Sequence, residues 1–149
     1  MSTRPIVNAF LAQIANLENH FSLIAQEFGV QERPDTVKVS FDVYNYEKTL
    51  ISYDRRVFYH DKREMYFIYN NIDASSNENR IRLYSTEGVA ESVMLTDDIY
   101  YKDGLWYVWQ PLNVDDILNG VGPDVSNLIE LTNDMIRNIF LHFLEERSV

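Results

Sequence analysis

The aromatic residues of this chain are segregated by type, and this segregation constrains the fold more than any other feature. All ten tyrosines and both tryptophans lie between Tyr44 and Trp109, whereas the flanking segments use only Phe, Leu, Ile, Val and Met as large apolar residues. Tyrosine and tryptophan combine an apolar ring with a polar tip, which suits a strand with one exposed face or a binding surface. The sequence therefore predicts an unusually aromatic central sheet between two helical flanks.

The N-terminal flank carries the clearest helical pattern. Its apolar residues are spaced alternately by three and four positions, which is typical of one buried helix face. They are Val7, Phe10, Ile14, Leu17, Phe21, Ile24 and Phe28. The helix is expected to end at Gly29. Two partners for this stripe remain open: the sheet of the same chain, or the same helix of a second chain in a homodimer.

The central segment alternates apolar and polar residues, which predicts a series of short strands. They cover residues 37–44, 49–59, 65–70, 80–85, 92–96, 98–101 and 105–109. We expect a turn at Pro34-Asp35, a polar loop over 73–79 and a hairpin turn at Asp103-Gly104. Since parallel neighbours need a crossover of roughly a dozen residues, the short links indicate an antiparallel meander of about six to seven strands.

The C-terminal third is predicted to be helical. Residues 113–120 resemble a short capped helix, and Gly122-Pro123-Asp124 begins the final one. The apolar stripe of that final helix contains Leu128, Leu131, Met135, Ile139 and Phe143. The prediction is thus a single α+β domain over residues 1–149, with the long N-terminal helix and the C-terminal helices packed on the sheet.

Composition argues against several kinds of chemistry. The chain has no cysteine, so it offers no disulfide, thiol nucleophile or cysteine-ligated metal site. It has no His-Glu-x-x-His pair, no Gly-x-Ser-x-Gly elbow and no glycine-rich loop for a phosphate. Acidic pairs such as Asp115-Asp116 are typical of a helix terminus. We therefore expect no catalytic residue, no metal and no cofactor.

The net charge indicates the kind of partner. The chain carries 23 acidic and 13 basic residues, a formal charge of −10. This balance disfavours binding to a nucleic-acid backbone and favours encounter with a basic protein surface. No apolar stretch approaches the ~20 residues of a membrane helix. We expect no membrane association and a cytoplasmic location.

The tyrosines and tryptophans exceed what one sheet face needs to cover its helices, which predicts a protein-binding face. The candidate binding residues are Tyr44, Tyr46, Tyr66, Tyr84, Tyr100, Trp106 and Trp109, with Arg56 and Arg82.

A basic island in the second strand and the turn after it contains Arg55, Arg56, His60, Lys62 and Arg63. It has two interpretations, an anion site beside the tyrosines or cross-strand salt bridges on a solvated face. Strict alternation over 49–59 places Arg55 and Arg56 on opposite faces, with Arg55 on the same face as Ile51, Tyr53 and Val57.

Together these features favour a non-enzymatic, acidic protein-binding module of the inhibitor or immunity type that blocks a basic surface of its partner. The layout of N-terminal helix, meandering sheet and C-terminal helices, on a small acidic chain without cysteine, resembles that of type III secretion chaperones. The helix that this family has between its strands has no counterpart here. The resemblance implies an alternative, a chaperone-like homodimer that holds an extended client. A small anion- or nucleotide-binding enzyme built on the basic island is a further alternative.

Overall fold

The computed structural model describes residues 4–44, 47–86, 98–109, 115, 118–120 and 128–145. The elements in these ranges are α1 (Arg4–Glu27), β1 (Gln31–Val43), β2 (Glu47–His60), β3 (Arg63–Ile68), β4 (Ile72–Asp73), β5 (Glu78–Ser85), β6 (Asp98–Lys102), β7 (Leu105–Trp109), β8 (Leu128–Glu130) and α2 (Asn133–Leu144). The predicted α+β class is confirmed, and the sheet that the described residues form has eight strands, more than the six to seven expected. Neither α1 nor α2 is both long and apolar enough to cross a lipid bilayer.

All eight strands form one sheet in the order β4-β1-β2-β3-β5-β6-β7-β8. Among the described strands, every neighbouring pair except one is antiparallel, so the sheet is largely antiparallel as predicted. The exception is β4, which pairs in parallel with β1 and whose second residue, Asp73, lies in the segment expected to be a polar loop. Asn79 joins this short strand to β5, because its side chain accepts from the Asp73 N–H at 3.1 Å and donates to the Asp73 carbonyl at 3.0 Å.

β1 and β2 form a long two-stranded ribbon that turns over midway, which means that it rotates about its long axis and its two faces exchange sides. At its base Phe58 faces α1, with its ring 6.3 Å from that of Phe21. Farther along, Tyr53 also faces α1 and donates a hydrogen bond to Glu18 at 3.1 Å. Phe58 and Tyr53 are an odd number of residues apart, so a regular strand would point them to opposite sides. The pairing of β1 with β2 stays one-to-one throughout, so both strands turn together.

Because the ribbon turns over, its two ends present opposite edges to the rest of the sheet. β2 pairs with β3 at the base, through Phe58, Tyr59 and His60. β1 pairs with β4 at the tip, through Phe41 and Asp42. The same ribbon therefore contributes its β2 edge at one end and its β1 edge at the other.

Two sequence-based predictions about this ribbon are wrong. Arg55 does not share a face with Tyr53, because its guanidinium lies over the ring of Tyr66 on the side away from α1. Pro34 and Asp35 lie within β1 and form no turn. Proline is tolerated there because, among the described strands, only β2 pairs with β1 at that level, so no strand on the other side needs the missing N–H.

α1 and α2 pack side by side on one face of the sheet, as predicted. The Phe140 ring of α2 lies 6.0 Å from Phe21 of α1 and 5.6 Å from Phe58 of β2. The apolar stripe of α1 is buried in this layer, with Val7, Ile14 and Phe21 completely inaccessible. The stripe packs on the sheet of its own chain, and a homodimer through it would first have to expose this core.

The final helix begins later than its apolar pattern suggests. Residues 128–130 form β8, which pairs with β7, so the assignment of Leu128 to a helix is wrong. Thr132 caps α2 by accepting a hydrogen bond from the Met135 N–H at 3.3 Å. The strand predicted over 92–96 lies outside the described residues, as do most of the helix predicted over 113–120 and the proposed start at residues 122–124.

Candidate binding surface

The sheet face that points away from α1 and α2, called the open face here, carries polar and aromatic side chains. Along β5, Ile81 and Leu83 are buried in the core under the helices. Arg80, Arg82 and Tyr84 alternate with them and project from the open face. This face contains a groove of about 660 Å³. Its lining residues are Ile68, Asn70, Asn71, Glu78, Asn79, Arg80, Arg82, Asp98 and Tyr100.

A tyrosine pair lies beside this groove. Tyr66 and Tyr84 are directly opposite each other on β3 and β5, with ring centroids 5.0 Å apart. The Arg55 guanidinium lies 4.1 Å from the Tyr66 ring centroid and also donates to Asp35 at 2.9 Å and to the Phe67 carbonyl at 3.1 Å. The Arg55 guanidinium thus holds the Tyr66 ring in place, while Tyr84 keeps 41% of its surface exposed.

A second aromatic group supports the other end of the groove. The Arg80 guanidinium lies 5.0 Å from the Trp109 ring, and that ring contacts Tyr100 with centroids 5.5 Å apart. Trp109 is 2% exposed and Tyr100 6%, so both support the groove from below. Burial raises the pKa of Tyr100, and its hydrogen bond to Glu78 raises it further. The phenol therefore stays protonated at neutral pH.

The charges of the open face alternate in sign. Arg82 lies 3.8 Å from Asp98, Arg55 lies 2.8 Å from Asp35, and both pairs bridge neighbouring strands. An incoming anion would have to compete with these carboxylates for the guanidinium groups. The arrangement therefore suits a surface that offers both charges and apolar contact, as a folded protein does, better than a lone anion.

Five of the nine predicted binding residues lie on the open face. Tyr66, Tyr84, Tyr100, Trp109 and Arg82 lie together on the open face. The other four candidates lie elsewhere. Tyr44 is exposed at the turn after β1, and Trp106 contacts Tyr101 under the helices. Arg56 binds α1, and Tyr46 lies outside the described residues.

The side chains of the basic island make separate contacts in different parts of the structure. Arg63 donates from one nitrogen to the carbonyls of Phe143 and Glu145, each at 2.8 Å, and so binds the C-terminal end of α2. Arg56 donates to Ser22 of α1 at 2.8 Å. His60 is exposed, 3.7 Å from Asp61. These side chains do not converge on one point, so they do not form a common anion-binding site.

A buried polar cluster under α1 is absent from the sequence-based predictions. Glu18 is 1% exposed, and its carboxylate accepts hydrogen bonds from the Arg56 N–H at 2.8 Å, from the Tyr53 hydroxyl at 3.1 Å and from the Tyr69 hydroxyl. Burial raises the pKa of Glu18 above its ordinary value, and these hydrogen bonds oppose the rise. Burial and the nearby carboxylate raise the pKa of both phenols, which therefore remain protonated donors.

The helical spacing contains a signal for this cluster. Glu18 lies four residues after Ile14 and four before Ser22, which places it on the buried side of α1 next to the apolar stripe. Ser22 is also buried, and its hydroxyl donates to Glu32 at 2.5 Å. A charged residue at such a position requires polar partners from the sheet. The tyrosines nearest in the fold supply them, but sequence alone does not show which ones.

The histidines are separate from one another and from the open face. His20 is exposed on α1, and His142 lies 3.4 Å from Glu145 at the end of α2. Within the part of the chain that the structure describes, no group of three or more His, Asp or Glu side chains could hold a metal ion.

Comparison with known proteins gives no relative. No family model, no curated protein and no solved structure matches this chain. The function must therefore be argued from the geometry alone.

Proposed function

We propose that this chain is a non-enzymatic protein-binding module that docks through its open face. The observation that carries the proposal is the exposed ring of Tyr84, which packs at a tilt against Tyr66, next to Arg82 at the wall of an open groove. Tyrosine and arginine are enriched among the side chains that dominate protein–protein binding energy. Docking there would bury these groups without opening the core.

The side chains of this face are held in place before any partner arrives. Arg55 is fixed against Tyr66 by a carboxylate and a backbone carbonyl, and Arg80 lies over the buried ring of Trp109. Association costs less free energy when contact residues do not have to be ordered on binding. This preorganisation supports recognition of one defined partner surface.

The net charge supports a basic partner. At −10, the chain attracts a positively charged surface over several ångströms, and this attraction accelerates encounter and weakens with salt. Carboxylates of the open face such as Glu78 and Asp98 can then pair with lysine or arginine of the partner. The consequence for the partner is that a basic surface is covered, as expected of an inhibitor or immunity-type protein.

The proposal is tested with the products of genes adjacent to the one that encodes this chain. Each purified product is titrated with the protein by calorimetry at low and at high salt. We expect one complex of fixed stoichiometry whose Kd rises with salt. Tyr84→Ala is expected to raise that Kd about tenfold or more, because it removes an exposed anchor.

The matched control is Leu23→Ala. Leu23 is a large apolar residue of α1, 63% exposed and on the opposite side of the sheet from Tyr84. This control should bind as the wild type does. If Tyr84→Ala and Arg82→Ala both bind as tightly as the wild type, or no candidate forms a complex at low salt, the open face is not the docking surface.

A further inference from the structure

The tip half of β2 is an outer edge of the sheet. β1 accompanies β2 along its whole length on one side, but β3 pairs only with Phe58, Tyr59 and His60 on the other. Among the described strands, none pairs with residues 47–57 on that second side, but the Arg56 N–H donates to Glu18 of α1 at 2.8 Å, so the outer edge comprises residues 47–55. The ribbon has turned over, and the side chains of Lys48, Leu50, Ser52 and Asp54 along this edge are exposed.

This edge has the composition of a strand that accepts another strand. Unprotected edges offer free N–H and C=O groups, and natural proteins usually block them with proline, a bulge or several charged side chains. The middle of this edge, residues 49–53, reads Thr-Leu-Ile-Ser-Tyr, with no proline, glycine or charge, and charged residues flank it on both sides. Leu50, in the middle, is 65% exposed, the second largest exposure among the large apolar side chains described.

We propose that this edge pairs with the same edge of a second copy of the chain, joining two sheets into one across a two-fold axis. The axis restricts the register. Side chains directly opposite each other must lie on the same face, so only registers centred on a residue are allowed. The candidates are pairings centred on Leu50, on Ile51 or on Ser52.

Charge selects one of these registers. Centring on Ile51 places Lys48 opposite Asp54 of the second copy, twice per dimer. Centring on Leu50 places Lys48 opposite Ser52, and centring on Ser52 places it opposite Arg56, which repels it. Opposite charges across neighbouring strands stabilise pairing, and like charges destabilise it. The Ile51 register is therefore the one that the sequence fits.

The side chains concerned are available for this contact. Lys48 is 76% exposed, and its present contact is Asp42, 3.2 Å away on β1. Asp54 is exposed and accepts a hydrogen bond from Thr36 at 2.5 Å. In the Ile51 register, Leu50 lies opposite Ser52 of the second copy and diagonal to the second Leu50. The two leucines would cover each other, which accounts for a large apolar side chain left open to water in the monomer.

The first test is charge reversal, with dimerisation measured by sedimentation equilibrium. Lys48→Glu and Asp54→Lys should each raise the dimer Kd about tenfold, because two attractive cross-strand pairs become repulsive. The double variant restores opposite charges and should return the Kd to near that of the wild type. A wild-type protein that stays monomeric at all concentrations overturns the proposal, as does a dimer that the single reversals leave unchanged.

The second test fixes the register and uses the absence of native cysteine. Leu50→Cys and Ser52→Cys proteins are mixed and oxidised. Directly opposite residues are close enough for a disulfide, whereas diagonal ones are not. A crosslink in the mixture, with much less in either protein alone, supports the Ile51 register. Equal crosslinking in all samples, or none, overturns it. Leu50 and Ser52 lie outside the groove and the Tyr66–Tyr84 pair, so this outcome does not depend on the proposed function.

Discussion

Replacing Glu18 with glutamine should stabilise the protein increasingly as the pH rises. Glutamine has nearly the same shape and carries no charge. Its one carbonyl oxygen can still accept from the Tyr53 and Tyr69 hydroxyls, while its NH2 group replaces the oxygen that accepts from the Arg56 N–H, a cost that does not change with pH. Burial raises the pKa of Glu18 above 4.5, which means that the folded state disfavours the carboxylate despite its hydrogen bonds. The stabilising effect of the protonated form is fully present below pH 4.5 and is lost as the pH rises through the folded-state pKa.

The size of the effect follows from linkage and from the contacts. Each tenfold change in the ionisation constant of Glu18 between the folded and unfolded states corresponds to about 1.4 kcal/mol at pH 8. Glu18→Ala is expected to act in the opposite direction, because it leaves the donors of Arg56, Tyr53 and Tyr69 without an acceptor. At about 1–3 kcal/mol per donor, the loss is about 3–9 kcal/mol. This is comparable with the whole free energy of unfolding of a small domain, about 5–15 kcal/mol.

Urea unfolding between pH 4 and pH 8 measures both effects, with the fluorescence of the buried Trp106 and Trp109 as the signal. The quantity of interest is the difference in unfolding free energy between Glu18→Gln and the wild type at each pH. A difference that does not change over this range would show that Glu18 titrates alike in both states and would refute the reasoning.

Glu27→Gln is the matched control, with the same substitution in the same helix. Its exposed carboxylate is bound by Arg137 at 3.0 Å, and this contact lowers the pKa of Glu27. A lowered pKa contributes stability that is present above pH 4.5 and is lost as the pH falls through the folded-state value. The difference between Glu27→Gln and the wild type should therefore change with pH in the direction opposite to that of Glu18→Gln.

Three further outcomes follow from the contacts. Leu17→Asp should abolish cooperative folding, because Leu17 is 1% exposed in the core and a charge there has no partner; a circular dichroism melt like that of the wild type would contradict this. Arg63→Ala should lower the free energy of unfolding by about 1–3 kcal/mol through loss of its hydrogen bonds to the end of α2, and an unchanged urea midpoint would show that they contribute nothing. Phe41→Ala should cost about 3–5 kcal/mol, since its ring is fully buried, and a loss below about 1 kcal/mol in the same assay would contradict the assigned core.

The fold could be predicted where local patterns decide it. The spacing of apolar residues in α1 and the alternation along β5 predict both the element and its buried side. The Asp103-Gly104 turn between β6 and β7 is likewise a property of adjacent residues, and both turn residues have positive φ. The last helix was misassigned at its start because a short apolar run such as Leu128–Glu130 suits a strand or a helix equally.

The pairing of β4 with β1 and the turnover of the ribbon could not be predicted in this way. Alternation describes one strand at a time and does not state which edge of a ribbon meets the rest of the sheet. A local rule predicts a turn at Pro34, whereas its place on a sheet edge makes it acceptable within β1.

The candidate site was predictable in composition but not in exposure. The sequence indicates an aromatic sheet with arginines among the rings, and the structure places Tyr66, Tyr84 and Arg82 on one face. It also buries Trp109 beneath Arg80 and Trp106 beneath the helices. Which rings are covered depends on helices and strands distant in sequence. The position of Glu18 follows from helical spacing, but its partners depend on the same long-range packing.

The β1–β2 ribbon is attached at two distant places, to β3 at its base and to β4 at its tip, with Glu18 bound between them. Its strands keep one register, so neither attachment can shift by a residue without displacing the other. The ribbon and the N-terminal helix should therefore open together, as a single cooperative unit. In native-state hydrogen exchange, the amide of Arg56 would then exchange with the same opening free energy as the amides that join β1 to β4, although the two sites lie at different ends of the hairpin.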